Sequence, residues 1–255
     1  PPPPHFQAED GIRDPPYSLV GSEMCIRDSN IACGFHAGDP AVMRHTIAIA
    51  KDNGVAIGAH PGFPDLIGFG RRNLDASLEE IKDYVTYQIG ALQAFATAQG
   101  VNLQHVKPHG ALYTMAVKNT AIWDAVAEAI AAVDARLILF MLAGTERKNL
   151  EAIGARHGIR IAYEFFGDRA YNSDGSLVSR NKPGAVIHDS EVVAAKILKM
   201  VKEGKVECRD GSEIELTADT ICVHGDNPSA LSLVQKIGET LKAAGVEIAP
   251  PETFL

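Results

Sequence analysis

The stretch DPAVMRHTIAIAKDNGVAIGAHPGFPDL, residues 39–66, contains the pattern that decides the fold. Asp39 followed by Pro40 is a helix-start signal, since an aspartate at the N-cap accepts backbone hydrogen bonds and a proline fits the first helical position. Gly54 ends that helix, and the short apolar run Val55–Gly58 predicts a buried strand. A loop rich in Gly, Pro, His and Asp follows at once. The stretch therefore predicts a helix that leads into a strand and then into a polar loop.

The same alternation continues along the chain. Further helices are predicted at residues 77–100 (opened by a capping box), 121–133, 145–157, 190–203 and 227–245, and buried strands at 105–107, 137–142, 159–163 and 221–223. Such alternation is typical of βαβ units and a parallel sheet. Residues 208–216, with Asp-Gly at their centre, predict an inserted β-hairpin. No dinucleotide fingerprint and no GxxxxGK[ST] loop occurs. The expected fold class is therefore α/β, an irregular β/α barrel.

Composition excludes several classes of protein. Of the 255 residues, 46% are apolar and 22% are charged, as in ordinary globular proteins and unlike disordered, collagen-like or disulfide-rich chains. The net charge of −8, with no Lys/Arg cluster, argues against nucleic-acid binding, and no apolar run reaches the roughly 20 residues of a membrane span. The four scattered cysteines form no CxxC pair, which favours a reducing compartment. The sequence thus indicates a cytoplasmic enzyme that acts on a small molecule.

Residues 1–29 differ from the rest of the chain. They hold six of the fourteen prolines and lack both a helical or alternating apolar period and the features of a signal peptide. The segments QAEDGIRD and EMCIRDS resemble translated sequencing-adapter read-through. The alternative interpretation of residues 1–29 is a natural proline-rich disordered arm. We therefore predict a non-native or disordered segment at 1–29 and a single β/α barrel domain at 30–255.

Polar loops follow the predicted strands, and four of them carry a histidine within two residues of a glycine. Active sites of parallel β/α folds are built from the loops at the carboxyl ends of the strands. A lone histidine there is usually a structural hydrogen-bonder, but four in equivalent places are hard to explain in that way. We expect the four to converge on one face as catalytic candidates: His36, His60, His109 and His224. The remaining histidines outside residues 1–29 are interpreted as structural: His45, His105, His157 and His188.

Acidic residues in the same loops are further candidates. Glu164, Asp168 and Asp226 are candidate general bases or metal ligands. Asp39 is a candidate substrate-binding residue, although its place before a proline favours a helix cap. For Asp65 the sequence favours two interpretations equally, a role in the site and an Asx-turn.

Cations in these loops would suit a carboxylate or phosphate ligand. Lys107 directly follows a predicted strand and is a catalytic candidate. Guanidinium groups bind carboxylates bidentately, and on this ground the substrate-binding candidates are Arg71, Arg169 and Arg180.

Six motifs in chain order resemble those of the LamB/YcsF family: NIACGFHAGDP (30–40), IGAHPGFPD (57–65), GFGRR (68–72), VKPHGALY (106–113), DRAYNSDGSLVSR (168–180) and VHGDNPSA (223–230). The resemblance runs from residue 30 to about residue 251. It implies a β/α barrel of the glycoside hydrolase/deacetylase type. It also implies ATP-dependent opening of 5-oxoproline (pyroglutamate) to L-glutamate, with ATP as co-substrate and with 5-oxoprolinase subunits B and C as partners.

The start of the chain departs from the family pattern. The family begins with a strand that carries Asp-x-Asn-x-Asp-x-Gly-Glu, and nothing in residues 1–29 matches it. We therefore expect the first barrel strand and several acidic site residues to be missing, which would leave the barrel unclosed and turnover impaired.

The residues leave three questions about function open. Since there is no P-loop, ATP binds either a partner or the barrel in an unusual mode. His and Asp at strand ends also suit a divalent ion such as Zn²⁺, which makes a stand-alone metal-dependent hydrolase or deacetylase one alternative, although no HxxxH or HxH spacing supports it. A non-catalytic subunit that only binds ligand for its partners is another alternative.

Overall fold

Parallel strands form the centre of the fold in a computed structural model that describes residues 23–25, 28–144, 147–224, 229–249 and 251–255. The strands are β1 (Glu23–Cys25), β2 (Asp28–Ala32), β3 (Ala56–His60), β4 (Leu103–Val106), β5 (Ile138–Leu142), β6 (Arg160–Phe166), β7 (Lys205–Glu207), β8 (Glu213–Glu215) and β9 (Thr220–His224). The helices are α1 (Pro40–Asp52), α2 (Leu78–Ala98), α3 (Gly110–Lys118), α4 (Thr120–Asp134), α5 (Arg147–His157), α6 (Ser190–Glu203) and α7 (Ala230–Ala243), and a 3₁₀ turn covers Pro251–Thr253.

A closed barrel is formed by β1, β2, β3, β4, β5, β6 and β9 in that order. Six of these strands, β2 to β6 and β9, run parallel to one another, and β1 runs antiparallel to both β2 and β9. The irregular β/α barrel predicted from the alternating pattern is therefore confirmed. The predicted hairpin is present as β7 and β8.

The expectation of an unclosed barrel was wrong. Among the described residues no parallel strand precedes β2, but Met24 of β1 pairs with Ser29 on one side and with Val223 on the other. Three residues therefore bridge the two edges of the parallel sheet. Strand β2 begins at Asp28, so both strands draw on the segment that the sequence analysis set apart from the barrel domain.

The helix ends follow the local signals in the sequence. Asp39 caps α1 by accepting from Ala41 N and Val42 N, and Ser77 and Glu80 form the predicted capping box of α2. Helix α3 was not predicted. It begins directly after His109, which makes no side-chain cap hydrogen bond, so the usual N-cap signal is absent there.

The helices pack on the outer face of the barrel and bury most of the apolar core. Helices α2 and α4 pack against each other, and Trp123 of α4 is buried edge-on against Tyr113 of α3, with ring centroids 5.3 Å apart. In the described ranges no helix combines the length and apolar character that crossing a bilayer would require.

Candidate functional site

The carboxyl ends of β2, β3, β4 and β6 bring a buried polar cluster together. Histidines, a lysine and a carboxylate lie there, contributed by residues near or beyond the carboxyl ends of the strands: His36, His60, Lys107, His109 and, where the end of β6 pairs with β9, Glu164. All five are almost completely buried. These five residues are among the predicted candidates, and their role in a site stays a prediction.

Three histidines form the centre of the cluster. The rings of His36 and His109 are stacked in parallel, with centroids 3.8 Å apart and planes within 2°. His60 lies edge-on to His109, and His109 Nδ1 is 2.9 Å from His60 Nε2. One nitrogen from each ring lies within 4.8 Å of the others, so the three residues could hold a metal ion.

The outer nitrogens of two of these rings are held by backbone carbonyls. His60 Nδ1 lies 2.6 Å from Lys107 O, and His109 Nε2 lies 2.8 Å from Phe69 O. A carbonyl oxygen accepts only, so each outer nitrogen carries a proton and donates. The facing atoms, His60 Nε2 and His109 Nδ1, then both present lone pairs when the rings are neutral. Two facing lone pairs of this kind are suited to binding a metal ion.

Glycines make room for this arrangement. A Cβ on Gly62 would lie 2.7 Å from His36 Nδ1, and a Cβ on Gly70 would lie 2.9 Å from both His109 Cδ2 and His36 Cβ. Gly70 also has φ of +64°, which L side chains rarely adopt. The glycines beside the histidines thus allow the rings to pack closely against the backbone.

The loop between these glycines is strained at one residue. Phe69 has φ of 54°, in the left-handed region that an aromatic residue seldom occupies. Its carbonyl accepts from His109, and its ring meets His36 edge-on at 5.6 Å. Strain of this kind persists where the surrounding structure enforces it, often at functional sites.

A buried ion pair lies beside the histidines. Lys107 Nζ is 2.7 Å from Glu164 Oε1, and the two side chains are 1% and 0% exposed. The ammonium also donates to Cys222 Sγ at 3.0 Å and lies 4.8 Å from the centroid of the Phe166 ring. Tyr113 donates to Glu164 Oε2 at 3.5 Å, and burial, aided by Glu164, raises the pKa of this phenol. The lysine is therefore a buried, ion-paired cation, and its backbone carbonyl contacts His60.

Two cationic side chains, one from the loop after β6 and one from α6, hydrogen-bond to backbone carbonyls of that loop. Asp168 is fully buried, and Arg169 donates to Ala185 O at 3.2 Å and to Val178 O at 2.6 Å. Lys196 of α6 donates to the carbonyl of Arg169, and burial lowers the pKa of this lysine to about 7. At least two N–H groups of Arg169 thus hold the loop together.

The structure places the other candidates at the edge of the cluster or beyond it. Asp39 is an exposed helix cap, as its place before a proline indicated. Arg71 is exposed and lies over the Phe69 ring at 4.9 Å, and Arg180 is half-buried. His224 ends β9 at the same end of the barrel, whereas Asp226 lies outside the described residues.

Asp65 and His105 lie close to the site and have structural roles. Asp65 accepts from Gly68 N at 2.9 Å and pairs with Arg72, and this pairing lowers the pKa of its carboxyl group to about 2. Of the two roles weighed for Asp65, the turn is the one observed. His105 lies inside the barrel, stacked on Phe140 at 4.2 Å, and burial lowers its pKa to about 3, which confirms its structural interpretation.

Sequence reasoning missed two residues of this region. Cys222 is one of the four scattered cysteines, and no local signal connects it to Lys107, which lies 115 residues away. Gln88 of α2 is buried and bonds Gly62. Its signal was available, since a glutamine interrupts the apolar face that Val85, Ile89 and Leu92 form.

Comparison with known proteins extends these observations. The sequence model of the LamB/YcsF family matches residues 23–255. Over 230 residues the chain is 53% identical to a protein of Alkaliphilus metalliredigens strain QYMF that is named as the A subunit of 5-oxoprolinase, with 90% of this chain and 89% of the relative covered. A protein of the same name from Bacillus subtilis strain 168 is 52% identical over 223 residues, with 88% and 86% covered. The solved structure of a lactam utilization protein from Thermus thermophilus superposes with a TM-score of 0.78 at 47% identity, covering 86% of each chain.

Proposed function

This chain belongs to the LamB/YcsF family, and from that premise we propose that it is the A subunit of an ATP-dependent 5-oxoprolinase. The reaction joins 5-oxo-L-proline, water and ATP to give L-glutamate, ADP and phosphate. In this proposal subunits B and C are the partners and the protein is cytoplasmic, in keeping with buried free thiols at Cys33, Cys208 and Cys222.

One observation carries the proposal: the buried, ion-paired Lys107 and the three clustered histidines lie at the end of the barrel where β/α enzymes place their active sites. Relatives about 50% identical over nearly the whole chain are named as the A subunit of 5-oxoprolinase. The name of the similar solved structure refers to a lactam, and 5-oxoproline is a five-membered lactam.

The chemistry explains why ATP is coupled to the reaction. The lactam is a stable amide whose carbonyl carbon is a poor electrophile. Transfer of the γ-phosphoryl group of ATP to the amide oxygen would make this carbonyl carbon electrophilic enough for water to attack it. The C–N bond then breaks, the nitrogen leaves as the amine of glutamate, and the carbonyl carbon is left as an acyl phosphate. A second water hydrolyses this acyl phosphate to the carboxylate of glutamate and phosphate.

The buried cluster contains groups suited to each part of this reaction. Lys107 would stabilise the phosphoryl group or the oxyanion, because a positioned ammonium in a dry site is strongly stabilising to developing negative charge. His36, His60, His109 and His224 would assist, and Glu164, Asp168 or Asp226 would take the proton from water.

The carboxylate of the substrate requires a cation as well. Arg169, Arg180 and Arg71 were the candidates, with Asp39 available to bind an amine or amide N–H. Because Arg169 gives two donors to the carbonyls of its own loop, Arg180 of the same loop is the better choice in this proposal.

A second candidate function is a metal-dependent hydrolase or deacetylase. The facing lone pairs of His60 and His109, with His36 beside them, favour it, since metal-ligating histidines usually donate their outer N–H to a carbonyl. Three protein ligands with a fourth open position are typical of catalytic zinc. A divalent ion held by these residues would polarise a carbonyl and activate water.

The test is glutamate release from 5-oxoproline with and without ATP, in the presence of B and C subunits from a relative. The intact chain is compared with a hybrid whose residues 1–29 are replaced by the corresponding start of the 53%-identical relative. ATP-dependent release by either supports the proposal. Release without ATP and partners, together with stoichiometric metal in the purified protein, would favour the metal-dependent hydrolase.

A failure of both proteins to release glutamate, while each is folded, contradicts the 5-oxoprolinase proposal. Alanine at Lys107 should lower turnover by about 10²-fold or more, as removal of a positioned catalytic group does. Unchanged turnover of the complex after replacing the strand-end histidines would instead identify a ligand-binding subunit without catalytic residues. ATP binding by the isolated chain decides whether the barrel or a partner holds the nucleotide.

A further inference from the structure

A glutamine on the buried face of α2 makes contacts that the proposed reaction does not use. Gln88 is completely buried. Its Nε2 donates to Gly62 O at 2.9 Å, and Gly62 N donates to its Oε1 at 2.9 Å. The second N–H of Nε2 donates to Tyr84 O at 2.8 Å. The amide thus holds both backbone polar groups of one glycine and is anchored to its own helix.

The orientation of this amide is determined by its partners. If the amide were flipped by 180°, its NH₂ group would face the Gly62 N–H and its oxygen would face the carbonyls of Gly62 and Tyr84. Donor would then face donor and acceptor would face acceptor, so only the present orientation forms hydrogen bonds. An apolar side chain at position 88 would suit the neighbouring core residues but would leave Gly62 N and O buried without these partners. Buried polar groups are nearly always hydrogen-bonded, so a glutamine in an apolar stripe is explained by what it holds.

The backbone that Gln88 holds forms one wall of the histidine stack. A Cβ on Gly62 would lie only 2.7 Å from His36 Nδ1 and 3.3 Å from His109 Cβ. The preceding residue, Pro61, accepts from His109 N at 2.8 Å. A shift of Gly62 by a few tenths of an ångström would therefore press directly on the stacked rings.

We propose that Gln88 is a positioning residue of the site, which clamps Gly62 and so fixes where the stacked His36 and His109 rings stand relative to His60. It acts from the helix layer, through the backbone of Gly62, on the histidine side chains. The interaction spans 26 residues of chain and connects α2 to the loop after β3. The kinetic part of this proposal rests on the proposed function, whereas the geometric part does not.

The test compares Gln88→Leu with Gln93→Leu. Gln93 lies on the same helix, and its amide donates to Thr97 Oγ1 at 3.2 Å on the exposed side, so the control makes the same chemical change without loosening the site. The first readout is the ¹⁵N and ¹H spectrum of the histidine rings in the whole protein labelled at histidine. The second is glutamate release with ATP and partner subunits.

We expect Gln88→Leu to shift the ring signals of His36 and His109 and to lower kcat by about 10–100-fold, as loss of an outer hydrogen bond to a site commonly does. KM should change by less than about threefold, since the substrate contacts remain. Gln93→Leu should leave both readouts unchanged. A purely structural residue would alter the melting temperature and leave the ring signals in place.

Unchanged ring signals in folded Gln88→Leu overturn the proposal. If this variant does not fold, Gln88→Met, which is closer in shape, takes its place. If neither folds, Gln88 serves global folding and the proposal is wrong. Absence of glutamate release by the unsubstituted protein would refute the proposed function alone, and the ring spectra would still decide the role of Gln88.

Discussion

The ion pair between Lys107 and Glu164 allows a quantitative prediction. The two charged atoms are 2.7 Å apart and the side chains are 1% and 0% exposed. At an effective dielectric constant of about 20, Coulomb's law gives an attraction of roughly 6 kcal/mol at this distance. Much of it offsets the cost of removing both charges from water. Removing one partner leaves the other charge buried, and the net loss of stability is then about 3–5 kcal/mol.

The two single substitutions should differ in their effect. In Lys107→Met the carboxylate of Glu164 loses its cation, and the hydroxyl of Tyr113 at 3.5 Å is a weak replacement. In Glu164→Gln the ammonium keeps the sulfur of Cys222 at 3.0 Å and the ring of Phe166 at 4.8 Å, and the new amide oxygen can still accept. The free energy of unfolding should therefore fall more in Lys107→Met than in Glu164→Gln.

The double substitution Lys107→Met/Glu164→Leu separates stability from chemistry. With no charge left unpaired, stability should return to within about 2 kcal/mol of the unsubstituted protein, because apolar replacements of buried ion pairs are often close to neutral. Glutamate release should stay as low as in Lys107→Met, since the cation is gone.

Urea unfolding followed by circular dichroism measures these differences. Lys82→Met is the control, because Lys82 pairs with Glu79 at 2.6 Å on the surface, where ion pairs contribute little. If Lys107→Met unfolds at nearly the same urea concentration as the unsubstituted protein, the reasoning is refuted. A double variant that loses as much stability as the two single variants together would refute it equally.

Three further predictions follow from individual residues. Burial keeps the ring of His105 neutral and lowers its pKa to about 3 in the folded protein. As the pH falls from 6.5 towards 3, the unfolded chain binds a proton that the folded protein does not, so the free energy of unfolding should fall by about 4 kcal/mol. Urea titrations at several pH values should show this dependence in the unsubstituted protein and a weaker one in His105→Gln. Gly70→Ala places a Cβ 2.9 Å from the stacked rings and should lower glutamate release by about 10²-fold, because the rings are displaced. The control is Gly100→Ala, where φ is also positive at +70° but no atom lies within 4 Å of the added Cβ. This control should affect only the melting temperature. Asp65→Asn should speed amide hydrogen exchange in its turn, because the charged carboxylate accepts from the turn's backbone, and unchanged exchange rates would show that the turn does not depend on that charge.

Helix positions and the arrangement of strands could be predicted from local patterns. The capping box of Ser77 and Glu80 and the cap formed by Asp39 were both predicted correctly, because such hydrogen bonds join residues within three positions of each other. Helix α3 was missed for the same physical reason. Its N-cap is His109, whose ring points to the site and makes no cap hydrogen bond.

The location of the site was also accessible from the sequence. Parallel strands present their carboxyl ends at one edge, so His36, His60 and His109 had to lie on a common face once the sheet was predicted. The closing strand β1 was not accessible, since three residues without an apolar period carry no strand signal.

The fold class, most helix ends and the face on which the candidate residues lie could be predicted from the sequence, because these depend on neighbours along the chain and on the rule for parallel strands. Which side chains meet could be seen only in the folded protein. The pairing of Lys107 with Glu164 and with Cys222 and the clamp of Gln88 on Gly62 join distant parts of the chain. Such contacts depend on the order of strands round the barrel and on how each helix packs against it, and no local pattern encodes either.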